Sequence, residues 1–211
     1  MPTTGTLIAF SLAALVLIVV PGPNIVYIVA RGVEQGRQAA VFSALGVETG
    51  SLFHIGAAAI GLSALLASSQ LAFDTVRYLS AAYLLYLGLR TFAHRDRPAA
   101  DADETGAPSL ASTYRQAVLV NVLNPKVALF FLAFLPQFVD PGRGPAWAQI
   151  LVLGVVFLLI GLCLDLSYAT AAGTIGHWLQ RRPRALRWQR YTSGSVYLTL
   201  GAVAALSGSR R

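Results

Sequence analysis

The sequence predicts an all-α integral membrane protein: six transmembrane helices arranged as two inverted three-helix repeats, with helices 1 and 4 broken at prolines. Composition is the first observation behind this. Hydrophobic residues make up 55% of the 211-residue chain and charged residues 12%, against roughly 25% charge in a soluble domain, and the mean hydropathy is +0.62. Spacing is the second. Apolar stretches close to the ~20 residues that cross a bilayer fall near 6–29, 39–66, 71–92, 116–138, 147–173 and 190–208. The third is that proline interrupts the first and fourth of them, at Pro21-Gly22-Pro23-Asn24 and at Leu123-Asn124-Pro125-Lys126.

Proline removes a backbone donor and clashes with the carbonyl one turn back. In hydrocarbon the freed groups are tolerated only where protein or a water-lined cavity satisfies them, so each break marks a candidate site. At a break, the half-helix that starts near Asn24 or Pro125 presents unpaired N–H groups and a positive dipole end. These suit a carboxylate, while the carbonyls freed on the other side suit a cation or ammonium. Asn24, Asn121 and Asn124 add amides that both donate and accept. A zwitterion fits such a site.

The first span has no basic leader and no A-x-A-like cleavage site, and it is expected to stay in the membrane. The second carries Glu48. Gly46 and Gly50 form a small-xxx-small face on it, continued by Ala57 and Gly61 with His54 alongside. Glu48 points almost the opposite way, among Val41, Ala44, Leu52 and Ile55, so this helix is either packed on both sides or carries a protonated glutamate. His54 reads as a hydrogen-bonded packing residue rather than a proton relay. In the third span, Asp74 and Arg77 near the outer end read as a solvated interfacial pair. The connection near 94–114 is polar and rich in Ala, Pro and Asp, and reads as a mobile loop.

Lys126 follows the fourth-span break. It either holds a substrate carboxylate, pairs with Asp165, or snorkels outward. The fifth span carries Asp165. At 100° per residue, Gly154, Gly161, Asp165, Tyr168 and Ala172 share one stripe, which places a carboxyl and a phenol inside the bundle. The competing reading of Asp165 is a structural carboxylate paired with Lys126 or an arginine. Each of Glu48, Lys126 and Asp165 costs about 3 kcal/mol at mid-bilayer unless paired or hydrated, which makes each a functional candidate.

The net charge of +7 lies between apolar segments and reads as a topology signal rather than a nucleic-acid surface. Arg31, Arg37, Arg90, Arg95, Arg97, Arg115 and the run Arg181, Arg182, Arg184, Arg187 and Arg190 fall on one side. The other side has Arg77, Arg143, Arg210 and Arg211. The positive-inside rule makes the first side cytoplasmic and both termini extracytoplasmic. Trp147, Trp178 and Trp188 sit at predicted helix ends, as an aromatic belt requires. Three spans on each side of the loop mean that the second half is inverted relative to the first. Pro-interrupted segments in matching positions of inverted halves point to a transporter binding site near the midplane. The chain thus reads as one transmembrane transporter domain, 1–211, with repeat 1 near 6–92, the polar loop near 94–114 and repeat 2 near 116–208.

A single cysteine, Cys163, precludes an internal disulfide or zinc cluster and leaves a membrane dithiol mechanism without its second thiol. No Ser/His/Asp or metal-ligand spacing suggests a hydrolase. The reading is therefore a transporter rather than an enzyme, with no cofactor, no metal and no nucleic acid. The alternative is a non-transporting membrane scaffold or assembly protein.

The chain resembles the lysine exporter and homoserine/threonine resistance (LysE/RhtB) family of bacterial amino-acid exporters. The resemblance rests on Pro21-Gly22-Pro23 with Arg31-Gly32, Gly36, Gly46 and Gly50, then Gly61-Leu62 and Ala82-Tyr83-Leu84-Leu85-Tyr86-Leu87-Gly88. In the second half it rests on Asn121, Asn124-Pro125-Lys126, Phe130-Phe131, Pro136-Gln137-Phe138, Tyr168-Ala169, Gly194 and Leu200-Gly201. Ser80 stands where the pattern leads one to expect glycine, a small-for-small change. The resemblance implies a six-helix exporter of the bacterial inner membrane, dimeric, that uses the proton motive force to expel amino acids or related small metabolites. Pro23, Asn24, Glu48, Asn121, Asn124, Pro125, Lys126, Asp165 and Tyr168 are the residues expected to bind substrate or ion.

Overall fold

The computed structural model describes residues 1–62, 75, 89 and 109–180, with side chains up to 172. Apart from Thr75 and Leu89, the third span (71–92) lies outside the described residues, as do the sixth (190–208), the pair Asp74 and Arg77, Ser80, Trp188, most of the polar loop and the Trp178 side chain. The described residues form helices and no strand.

α1, Thr4–Val19, is capped by Thr3, whose hydroxyl accepts from Thr6 N at 3.0 Å. α2, Pro23–Gln35, begins with Pro23 at its first position and Gly22 as N-cap, where the missing proline N–H has no helical partner to lose. The two helices are bent by 50°. Gly36, at φ +87°, turns α2 into α3, Arg37–Ala57, which continues as a single π turn over Ala58–Leu62. A residue with a Cβ is strained at that φ, which is why the link is glycine.

α4, Leu110–Val122, starts earlier than hydropathy suggested, within the stretch read as loop. Ser109 supplies the reason, because its hydroxyl accepts from Ser112 N at 3.2 Å. The polar residues 112–116 thus form the capped first turns of a helix. A cap is encoded in one side chain, and an apolar count does not register it. α5, Pro125–Leu129, follows at a bend of 43° and runs on as a π turn, Phe130–Phe134, and a 3-10 turn, Leu135–Phe138. α6, Ala146–Gln180, extends seven residues beyond the expected end at 173, and its segment Ala146–Ala172 has a mean hydropathy of 2.7. At 1.5 Å per residue, α6 is long enough to cross a ~30 Å hydrocarbon core. Each bent pair passes the same test of length and hydropathy when taken together, as a broken span or a re-entrant loop.

Large apolar side chains are exposed along helical faces, at Ile8, Leu12, Leu15 and Val19 of α1 and at Leu151, Val155 and Leu159 of α6. A soluble bundle buries such rows, whereas a chain in a bilayer can present them to lipid. Inside are two cores of different character. Phe10, Phe130, Phe131, Phe134 and Phe157 form an aromatic cluster that joins α1, the turns after α5, and α6, with neighbouring ring centroids 5.0–5.9 Å apart. The other core is built of small residues: Ala40, Ala44, Ala117, Ala169 and Ala172 with Ile28 and Val47.

Small residues are required where the backbones approach. A Cβ on Gly46 would lie 2.5 Å from Tyr114 O, and one on Gly50 would lie 2.7 Å from Asn121 Cβ. α3 thus rests its glycine face on α4. Its opposite face meets α6, where Gly161 and Gly154 receive Glu48 and Ile55. Of the two explanations for the glutamate and the glycines facing apart, packing on both sides is the one found. The small-residue face stops short of its expected continuation, since Ala57 is exposed and Gly61 has no described atom near its Cβ position.

Candidate substrate and ion site

The two helix breaks lie against each other and are joined by an amide relay. Asn124 caps α5, its Oδ1 accepting from Lys126 N at 3.0 Å, and its Nδ2 donates to Asn24 Oδ1 at 2.8 Å. Asn24 Nδ2 in turn donates to Asn121 Oδ1 at 2.9 Å. Asn121 Nδ2 ends the relay on α3, donating to Val47 O at 2.5 Å and Ser51 Oγ at 2.9 Å. Every amide oxygen faces an N–H, so each side chain is oriented by its neighbours. His54 Nε2 meets Asn121 O at 3.0 Å, and its ring stacks on Phe131, a packing role as expected.

The carbonyls freed at the end of α1 are also taken. Lys126 Nζ donates to Val20 O at 2.6 Å, and Tyr168 Oη donates to Val19 O at 3.3 Å. The chain's own ammonium therefore occupies the place where a cation suits a freed carbonyl. Lys126 is 5% exposed, so it does not snorkel. The ion pairs among the described residues are Arg31–Glu34 and Arg143–Asp140. Asp165 and Lys126 thus lie beyond ion-pair distance of each other.

Glu48 and Asp165 are both buried and adjacent. The Glu48 carboxyl faces Asp165 and Ser51. It lies over Gly161 so closely that a Cβ there would be 2.5 Å from Oε1. Its Oε2 has no hydrogen-bond partner among the described residues. Two buried carboxylates side by side repel strongly at low dielectric unless a proton or cation lies between them.

A cavity of about 30 Å³ joins these groups. Asn24, Glu48, Asn124, Lys126 and Asp165 line it with Gly22, and Leu17, Ile18 and Phe157 form an apolar wall. That volume suits one or two waters and is too small for an amino acid. Asn121 stands behind the lining, and Tyr168 borders it at Val19. Pro23 and Pro125 are exposed and do not line it, acting instead by starting α2 and α5. Sequence reasoning missed Ser51 and the Val19 and Val20 carbonyls. Ser51 sits three residues after Glu48, on the same helical face, whereas nothing local identifies which carbonyls a remote lysine will reach.

Asn121 is the junction of the relay, so Asn121→Ala removes three hydrogen bonds at once. Interhelical bonds in membranes average about 0.6 kcal/mol, which gives an expected loss of roughly 2 kcal/mol. Thermal unfolding in detergent should show it as a clear drop in midpoint, and an unchanged midpoint would mean that the relay contributes no net stability.

Apolar outer faces, bent helices and a buried ionisable centre define a multi-pass membrane protein organised around a polar site. The chain belongs to the LysE type translocator family, whose profile matches residues 15–208. It is 34% identical over 199 residues to a Vibrio cholerae protein described as an uncharacterized membrane protein, covering 94% of this chain and 95% of that one. It is 31% identical over 198 residues to the homoserine/homoserine lactone efflux protein of Salmonella typhimurium, covering 93% and 94%. An uncharacterized membrane protein of Pseudomonas aeruginosa is 32% identical over 217 residues, covering 98% and 100%. No solved structure matches the chain.

Proposed function

We propose that this protein is a secondary exporter that moves amino acids or related small metabolites out of the bacterial cytoplasm in exchange for protons. The observation that carries the reading is the convergence of Glu48, Lys126 and Asp165, from three helices, on one buried cavity at the two breaks. Ionisable groups are retained at membrane depth where they handle an ion or a polar substrate. The family and the efflux protein among its relatives support export.

In this reading the chain is one transporter domain in the inner membrane, with both termini extracytoplasmic. The bent spans are equivalent elements of two inverted halves, and the site lies near the bilayer midplane. The cavity is closed to solutes of amino-acid size, so substrate enters when the half-helices swing about their bends. The carboxyl pair carries the proton that is exchanged.

The test is transport by the purified protein in proteoliposomes, with an imposed pH gradient and a panel of labelled amino acids. Gradient-dependent movement of at least one of them, abolished by a protonophore, is expected. Movement driven equally by sodium without a pH gradient would replace the proton, and no movement of any substrate would leave the scaffold reading.

A further inference from the structure

We infer that Lys126 is a tethered cation: its ammonium fills the place at the end of α1 where a broken helix would bind a free sodium ion, and shortening the side chain turns that place into a sodium site. The inference goes beyond the export reading and does not depend on it.

The break itself creates the demand for a cation. The helical partner of Val19 O would be the N–H of residue 23, which proline lacks, and Val20 has left the helix at φ −67° and ψ 120°. Carbonyls freed at such breaks coordinate sodium or protons in carriers built on discontinuous helices. Here Tyr168 Oη donates to Val19 O at 3.3 Å, and Lys126 Nζ donates to Val20 O at 2.6 Å. The lysine is also fixed at its other end. Its backbone N–H donates to Asn124 Oδ1, and Asn124 is bonded across the two breaks to Asn24. Gly22 lies against the stem, with its Cβ position 3.4 Å from Lys126 Cδ and 3.5 Å from Nζ. A buried side chain seated in this way already holds the carbonyl end.

Charge decides what replaces it. Among the described residues lining the cavity, the charged types are Lys126, Glu48 and Asp165. With one proton between the two carboxyls, the three groups sum to zero. A sodium ion added to that set would leave one positive charge uncompensated at low dielectric. Lys126→Ala instead leaves one negative charge beside the Val20 carbonyl, in the room vacated by the lysine stem. Carboxylate and carbonyl oxygens are the donors that a small hard cation takes.

Thermal unfolding in detergent tests this, with sodium chloride replacing choline chloride at constant ionic strength. The wild-type midpoint should not respond to the exchange. Lys126→Ala should melt lower in choline and recover by about 5 °C or more in sodium, the shift expected for a chain of this size when a ligand is present at about a hundred times its Kd. Propylammonium, which restores both stem and charge, should stabilise the variant as well. Tyr168→Phe removes the neighbouring hydroxyl but keeps the tethered cation, so it should not respond to sodium. Saturable stabilisation of the wild-type protein by sodium would overturn the inference, and that measurement needs no variant to fold. An equal response in Tyr168→Phe would overturn it too, because sodium would then act elsewhere. So would a Lys126→Ala protein that is indifferent to sodium and propylammonium, or that cannot be recovered folded in either, since a vacated cation site should be refillable. The readout is folding, so failure of every transport assay would remove the export reading and leave this inference standing.

Discussion

Asp165→Asn is expected to reduce pH-gradient-driven transport by about tenfold or more, which corresponds to ~1.4 kcal/mol or more in the switching equilibrium, while the protein remains folded. The same is expected of Glu48→Gln. Both substitutions keep side-chain volume and replace an acid with an amide that holds no exchangeable charge. Folding should survive because a neutral amide of similar size relieves the repulsion between two adjacent buried carboxylates. Glu48→Gln also places an amide next to Asp165, where Oε2 now has no partner among the described residues. Measuring two modes of transport separates coupling from structure. Counterflow without a gradient requires binding and reorientation of the loaded carrier, whereas net movement against a substrate gradient also requires the proton. A coupling carboxylate should therefore lose the driven mode far more than the exchange mode. Equal loss of both modes would make the residue structural, and wild-type driven transport in both variants would remove the proton from this pair.

The sequence was informative wherever one residue type carries one physical consequence. Pro23 and Pro125 cannot continue a helix, and α2 and α5 begin on them. Asp165 falls on a stripe with Gly154 and Gly161 by helical angle alone, and all three are buried. Glu48 was less legible. A helical wheel gives its direction relative to Gly46 and Gly50 but not how many neighbours the helix has, and only tertiary packing shows that α4 covers one face and α6 the other. The sequence leaves Lys126 among three roles for the same reason. A long flexible side chain reaches whatever its surroundings offer, and the Val20 carbonyl is 106 positions away in sequence. Hydropathy misplaces the start of α4 because Ser109 encodes it through a single cap.

Gly46→Ala and Gly161→Ala insert the same methyl group at nearly the same closeness, yet they should have opposite signatures. At Gly46 the new Cβ lies 2.5 Å from Tyr114 O and 2.7 Å from Ala117 Cβ. A helix backbone cannot yield locally, so α3 and α4 must separate along their shared face. Overpacking of this kind typically costs about 1–3 kcal/mol and occasionally more, and it also strains the nearby bonds from Asn121 to Val47 and Ser51. The expected result is a large fall in thermal stability in detergent and in the yield of folded protein. At Gly161 the new Cβ lies 2.5 Å from Glu48 Oε1, the free end of a side chain that can rotate away. Stability should change little, but the Glu48 carboxyl is displaced from its position beside Asp165, so gradient-driven transport should fall while the melting midpoint holds. Gly161→Ser should behave like Gly161→Ala in stability and retain more transport, because its hydroxyl can donate to the carboxylate it displaces. Full driven transport in folded Gly161→Ala protein would mean that the placement of Glu48 over Gly161 is not needed for coupling.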